Sequence, residues 1–96
     1  MKNILEIKSV LGLHKQELIS KYGLKFIAIF GSYTRGEQIK DSDIDILVDF
    51  DKPIGIEFID LANELEEILN HKVDLVSKNG VQPKYLRVIE QELSYV

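Results

Sequence analysis

The stretch FIAIFGSYTRGEQIKDSDIDILVDF, Phe26 to Phe50, holds two apolar runs of different pattern. The first, KFIAIF, has five consecutive apolar residues between Gly23 and Gly31 and no helical period. That is the pattern of a strand covered on both faces. The second, DIDILVDF, alternates, with Ile44, Ile46, Val48 and Phe50 on one face and Asp43, Asp45, Leu47 and Asp49 on the other. Asp is among the poorest strand formers, and two like charges about 6 to 7 Å apart along one strand face repel each other. Asp43 and Asp45 therefore call for a compensating partner, whereas Asp49 reads as an ordinary polar residue of an outer face.

Elements follow on either side. Asn3 with Glu6 three residues later resembles a capping box, so a helix is expected to start there and to end at Gly23. Gly12 leaves open whether this region is one helix or two. After the turn DKPIG, a helix is expected from about Ile56 to Leu69, burying Phe58, Ala62, Leu65 and Leu69. KVDLVS reads as a third strand, Asn79-Gly80 as a turn, and Pro83 as the first residue of a last helix with Leu86, Ile89 and Leu93 inward. The expected fold is a small α/β (α+β) domain, a three- to four-stranded mixed sheet packed with helices.

The 96 residues suffice for one domain with a thin core, so a single domain over 1–96 is expected. There is no cysteine, which excludes disulfides and thiolate metal sites, and two distant histidines make a poor zinc set. No apolar run approaches the roughly 20 residues of a membrane helix, and MKNILEIKSV carries charges unlike a signal peptide, so a cytoplasmic protein with no membrane role is expected. The net charge of −4 argues against direct nucleic-acid binding through a basic face. Setting aside Asp43, Asp45 and Asp74 leaves 13 acidic residues against 12 basic, so the acidity is concentrated in those three.

A divalent cation would compensate the Asp pair, since Mg²⁺ is commonly held by one or two carboxylates together with substrate phosphates. Asp74 supplies a third carboxylate if KVDLVS lies beside DIDILVDF. Taken alone, the pair fits a solvated strand face as well as it fits a cation site. A calcium loop fails, because its sixth position is Ile46 instead of Gly and its twelfth is Lys52 instead of Glu. Gly31-Ser32 offers backbone N–H groups unobstructed by a Cβ and a hydroxyl to an approaching phosphate, although a lone Gly-Ser also serves as a simple helix cap. The loop YTRGEQIKD would return the chain so that phosphate donors and carboxylates meet at one sheet edge.

GSYTRGEQIKDSDID resembles the G-S-x₁₀-D-x-D signature of the DNA polymerase β-like nucleotidyltransferases. FGSYTRGE…DSDIDILVDF is most similar to the minimal nucleotidyltransferase (MNT) antitoxins paired with HEPN ribonuclease toxins, and the likeness covers nearly the whole chain. The resemblance implies a minimal nucleotidyltransferase fold and a protein adenylyltransferase that uses ATP with Mg²⁺, or Mn²⁺ in its place. It implies AMP transfer to a hydroxyl, a tyrosine above all, of a cognate HEPN toxin held in a hetero-oligomer. By the same resemblance Gly31 and Ser32 hold the triphosphate, and Asp43 and Asp45 bind the metal. Asp74 is the third carboxylate, acting with the metal on the acceptor, and Arg35 contacts phosphate, the toxin or a loop acid. An antitoxin that acts by binding alone, and a small-molecule nucleotidyltransferase, are the competing expectations.

Overall fold

A computed structural model describes residues 3–96 of the chain. Helix α1 runs unbroken over Ile4–Tyr22: the Asn3 side chain accepts the Glu6 N–H at 2.9 Å, and Gly23 closes the helix in the left-handed region. Gly12 does not interrupt it, because it lies exposed while Ile7, Leu11 and Leu18 hold the helix onto the core. Then come β1 (Leu24–Phe30), a single-turn helix α2 (Ser32–Arg35), β2 (Ile44–Phe50), α3 (Glu57–Leu69), β3 (Val73–Ser77), α4 (Pro83–Glu90) and β4 (Ser94–Tyr95). The mixed α/β fold expected above is observed.

The sheet order is β3-β2-β1-β4. β1 pairs antiparallel with β2 and β4, while β2 and β3 run parallel, joined through α3 as a parallel connection requires. The pairs Ile27↔Val48 and Ile29↔Ile46 belong to the buried cluster completed by Ile7, Leu11 and Leu18 of α1 and by Leu61, Leu65 and Leu69 of α3. The opposite face carries Phe30↔Asp45, Ala28↔Leu47 and Phe26↔Asp49. Ala28 and Leu47 are fully buried there, so this face too is covered at its centre.

Four expectations need correction. β2 begins at Ile44, so Asp43 is the last loop residue instead of the first of the strand. Asp49 is buried at 8% exposure, with Lys25 Nζ 3.9 Å from its carboxylate; alternation assigned its face, but not whether that face was covered. In α3 the buried stripe is Leu61, Leu65 and Leu69, with Phe58 and Ala62 only half-buried. Leu93 lies beyond the last helix, and α4 buries none of its residues completely.

Candidate active site

The site is built where β1 ends and β2 begins. Because β1 and β2 are antiparallel neighbours, Phe30 pairs with Asp45, and the next residue, Gly31, is brought against that aspartate. Gly31 has φ 79° and ψ −150°, a conformation open in practice only to glycine. A Cβ added there would strike the Asp45 carboxylate. Glycine is required both by the backbone and by the space. The Gly31 carbonyl accepts from Thr34 Oγ1 at 2.7 Å and starts α2, which Gly36 closes with φ 68°. Ser32 is the first residue of that turn, half-buried, beside Asp45's strand end.

The parallel register of β2 and β3 sets Asp45 directly opposite Asp74. Asp74 is exposed and Asp45 half-buried. Burial first, then the charge of Asp74 and a hydrogen bond to it, and finally the charge of Asp43 push the Asp45 carboxyl up to about 6, with Arg35 pulling the other way. Asp43 is exposed in the loop, yet its charge reaches both Asp45 and the Tyr33 hydroxyl. Gly31, Ser32, Asp43, Asp45 and Asp74 are thus gathered at one end of the sheet. Arg35 flanks them with its guanidinium engaged: Nε donates to Glu37 and Nη1 to Glu92, each at 2.7 Å.

The donor set is all hard oxygen and carries uncompensated negative charge, which fits Mg²⁺ or Mn²⁺. Among the described residues no three carboxylate, imidazole or thiolate groups converge closely enough to hold an ion unaided. A cation bound here would take part of its coordination from phosphate oxygens and water, the usual habit of Mg²⁺.

Three contributors escaped the sequence reading. Tyr33, fully buried, has its hydroxyl 3.4 Å from His71 Nε2, while His71 Nδ1 lies 3.0 Å from the Lys72 carbonyl. In the neutral imidazole Nδ1–H donates to that carbonyl and leaves Nε2 to accept from Tyr33; this ties α2 to the segment leading into β3 and Asp74. Glu92 is the third, and it touches both Gly31 and Arg35. No local motif marks any of the three. A cavity of about 560 Å³, lined in part by Phe50, Phe58 and Asn79, is elsewhere. It opens at the other end of β2, roughly 16 Å along the strand from Asp45.

Residues 11–96 match the nucleotidyltransferase domain family. The chain belongs to this family. As a nucleotidyltransferase-domain protein it is 49% identical, over the full length of both chains, to a Methanocaldococcus jannaschii protein provisionally named protein adenylyltransferase MJ0126. It is 43% identical to the protein adenylyltransferase MntA of Thermococcus cleftensis, across 100% of this chain and 98% of that one. Its fold superimposes on a solved minimal nucleotidyltransferase with a TM-score of 0.76 at 30% identity, over 96% of this chain and 90% of the other. A toxin–antitoxin complex crystallised with AMP-PNP gives 0.73 at 28% identity, over 86% and 69%. Nucleotidyltransferase activity follows from this kinship.

Proposed function

We propose that the protein is a cytoplasmic, Mg²⁺-dependent adenylyltransferase that modifies a hydroxyl, a tyrosine above all, on a cognate HEPN toxin. The observation that carries the reading is the convergence of Asp45, Asp74 and Gly31 at one end of the sheet, in a family whose relatives are named for protein adenylylation. Gly31 leaves the space for the triphosphate, its own N–H being held by Glu92, and Ser32 receives it through its backbone N–H and hydroxyl. Asp43 and Asp45 hold the metal. When bound, the ion neutralises the triphosphate and the charge that develops on the transferred group.

Asp74 stands beside the pair as the proton acceptor. A tyrosine hydroxyl, with an ordinary pKa of about 10, needs such a neighbour to become a nucleophile at neutral pH. Its oxygen forms a bond to the α-phosphorus, its proton passes to Asp74, the α–β anhydride bond breaks, and pyrophosphate leaves. Asp45 contributes more than ligation: burial keeps water away from its carboxylate and strengthens its pull on a cation. The acceptor comes from a partner. Exposed apolar side chains, including Leu13, Ile56 and Val88, leave surface for one to cover in a hetero-oligomer.

The test uses ATP labelled on either the α- or the γ-phosphate, incubated with the chain, Mg²⁺ and the toxin. Adenylyl transfer puts only the α label on the toxin. Label from the γ position would indicate a kinase, and no label with intact toxin inhibition would indicate an antitoxin that works by binding.

A further inference from the structure

β4 is only two residues long, yet its register reaches the active-site turn. Ala28 pairs with Tyr95 and Ile29 with Ser94, and the Val96 N–H donates to the Ile27 carbonyl at 2.9 Å. Continued two residues further, the same antiparallel register sets Glu92 opposite Gly31. The backbone ladder does not continue, because the Glu92 N–H turns back to the Ile89 carbonyl after α4. The side chain takes over. Glu92 Oε1 accepts the Gly31 N–H at 3.2 Å, and Oε2 accepts Arg35 Nη1 at 2.7 Å. The Glu92 side chain is only 21% exposed, so it is better shielded than a typical surface ion pair.

Gly31 and Arg35 differ in what they require. The Gly31 peptide sits in a left-handed conformation against Asp45, and nothing in its own side chain can hold it there. Arg35 carries a long, flexible side chain whose charge acts on Asp45, so its direction has to be set by partners. One bidentate carboxylate fixes both at once. The other Arg35 partner, Glu37, is far more exposed and lies two residues away in the same loop, so it cannot anchor that loop to the sheet. Glu92 does, across 61 residues of chain.

We infer that Glu92 is a positioning residue for nucleotidyl transfer, its carboxylate locking the Gly31 peptide and the Arg35 guanidinium into the pose that receives the triphosphate. This rests on the adenylyltransferase reading above. The residue never touches the reacting atoms. It makes the C-terminal segment part of the active site, so whatever loosens β4 also loosens the phosphate turn.

Two variants separate its contacts. Glu92→Ala removes both. Glu92→Gln retains an oxygen for the Gly31 N–H but has no second acceptor for Arg35. Glu92→Ala should lower kcat on the order of 10- to 100-fold, the cost of a misplaced group, with a smaller change in the KM for ATP. Glu92→Gln should fall between it and the wild type. Nitrogen-15 NMR of the same proteins without nucleotide gives a readout independent of turnover. The Arg35 Nη1 signal, from the nitrogen that donates to Glu92, should be sharp in the wild type and broadened by exchange with water in both variants, while the Gly31 amide should shift strongly only in Glu92→Ala. A wild-type protein that transfers no AMP would defeat the adenylyltransferase reading, and the NMR would still decide whether Glu92 does the bracing. Unchanged Arg35 and Gly31 signals in Glu92→Ala, or wild-type kcat in that variant, would overturn the inference. So would a loss of activity tracking only a lowered Tm.

Discussion

Gly31 is the residue on which the site turns, because backbone and space both demand the absence of a side chain. Gly31→Ala should therefore cost on the order of 1–3 kcal/mol of stability and abolish detectable ATP binding; thermal unfolding and calorimetric titration measure the two effects separately. Asp45 should behave in the opposite way. Its carboxyl sits at about 6, above its ordinary 3.8, so the folded chain holds a proton more tightly than the unfolded one. The associated stability is complete below about pH 4 and is lost as pH rises through 6. In metal-free buffer at pH 8, Asp45→Asn should then raise the melting temperature by several degrees, an effect on the order of 1–2 kcal/mol after allowance for partial solvent exposure. At pH 4 the gain should shrink toward zero. A pH-independent loss of stability would mean that the Asp45 carboxylate holds the fold together. The placing of Asp45 and Gly31-Ser32 at one sheet end was legible because strand alternation and a turn are local signals, whereas Asp43 lies one residue ahead of the strand to which alternation assigned it. Glu92 was not legible, since its contact with Gly31 exists only after the strands have paired.

α1 and α3 are pinned together by one polar cluster beside their apolar contact: Tyr22 donates to Glu64 Oε1 at 2.7 Å, and Lys21 Nζ lies 3.0 Å from the same oxygen. Burial, and after it the bond to Glu64, push the Tyr22 hydroxyl up to about 12, while the Tyr22 bond first and Lys21 second hold Glu64 below the usual carboxylate range. A depressed carboxylate contributes stability above its ordinary pKa and loses it as pH falls through the lowered value. The urea midpoint of the wild type should accordingly fall on acidification below about pH 4.5, and Glu64→Gln should flatten that part of the profile. Tyr22→Phe should cost about 1 kcal/mol at neutral pH. The two ends of α1 were readable because Asn3, Glu6 and Gly23 are chemical punctuation, whereas Gly12 left its continuity open. β4 was not readable: Ser94 and Tyr95 carry no pattern of their own and become a strand only through β1. α3 was found with Leu65 and Leu69 rightly in its stripe, but Phe58 and Ala62 at its margin pass for core residues while Leu61 takes the buried position.

The four-stranded sheet sets Asp45 between Gly31 on one side and Asp74 on the other, so the fold itself assembles what the chain holds 29 residues apart in Asp45 and Asp74. Mixed-sheet order could be read only coarsely from the sequence: apolar runs reveal strands, whereas the Asp45↔Asp74 pairing needed β3 to lie parallel beside β2. A cluster of carboxylates repels a bare triphosphate, so ATP should bind with Mg²⁺ and lose most of its affinity when EDTA is added, as calorimetry would register. Equal affinity under both conditions would remove the metal from the account. The central claim, that Asp74 draws a proton from a partner's hydroxyl as AMP is transferred, is tested most directly by intact-mass spectrometry of the cognate toxin after incubation with ATP, Mg²⁺ and either wild-type protein or Asp74→Ala. The account predicts toxin heavier by whole AMP units with the wild type, and unmodified toxin with Asp74→Ala even though that variant still binds ATP. Toxin of unchanged mass with the wild type, or equal modification by Asp74→Ala, would contradict it.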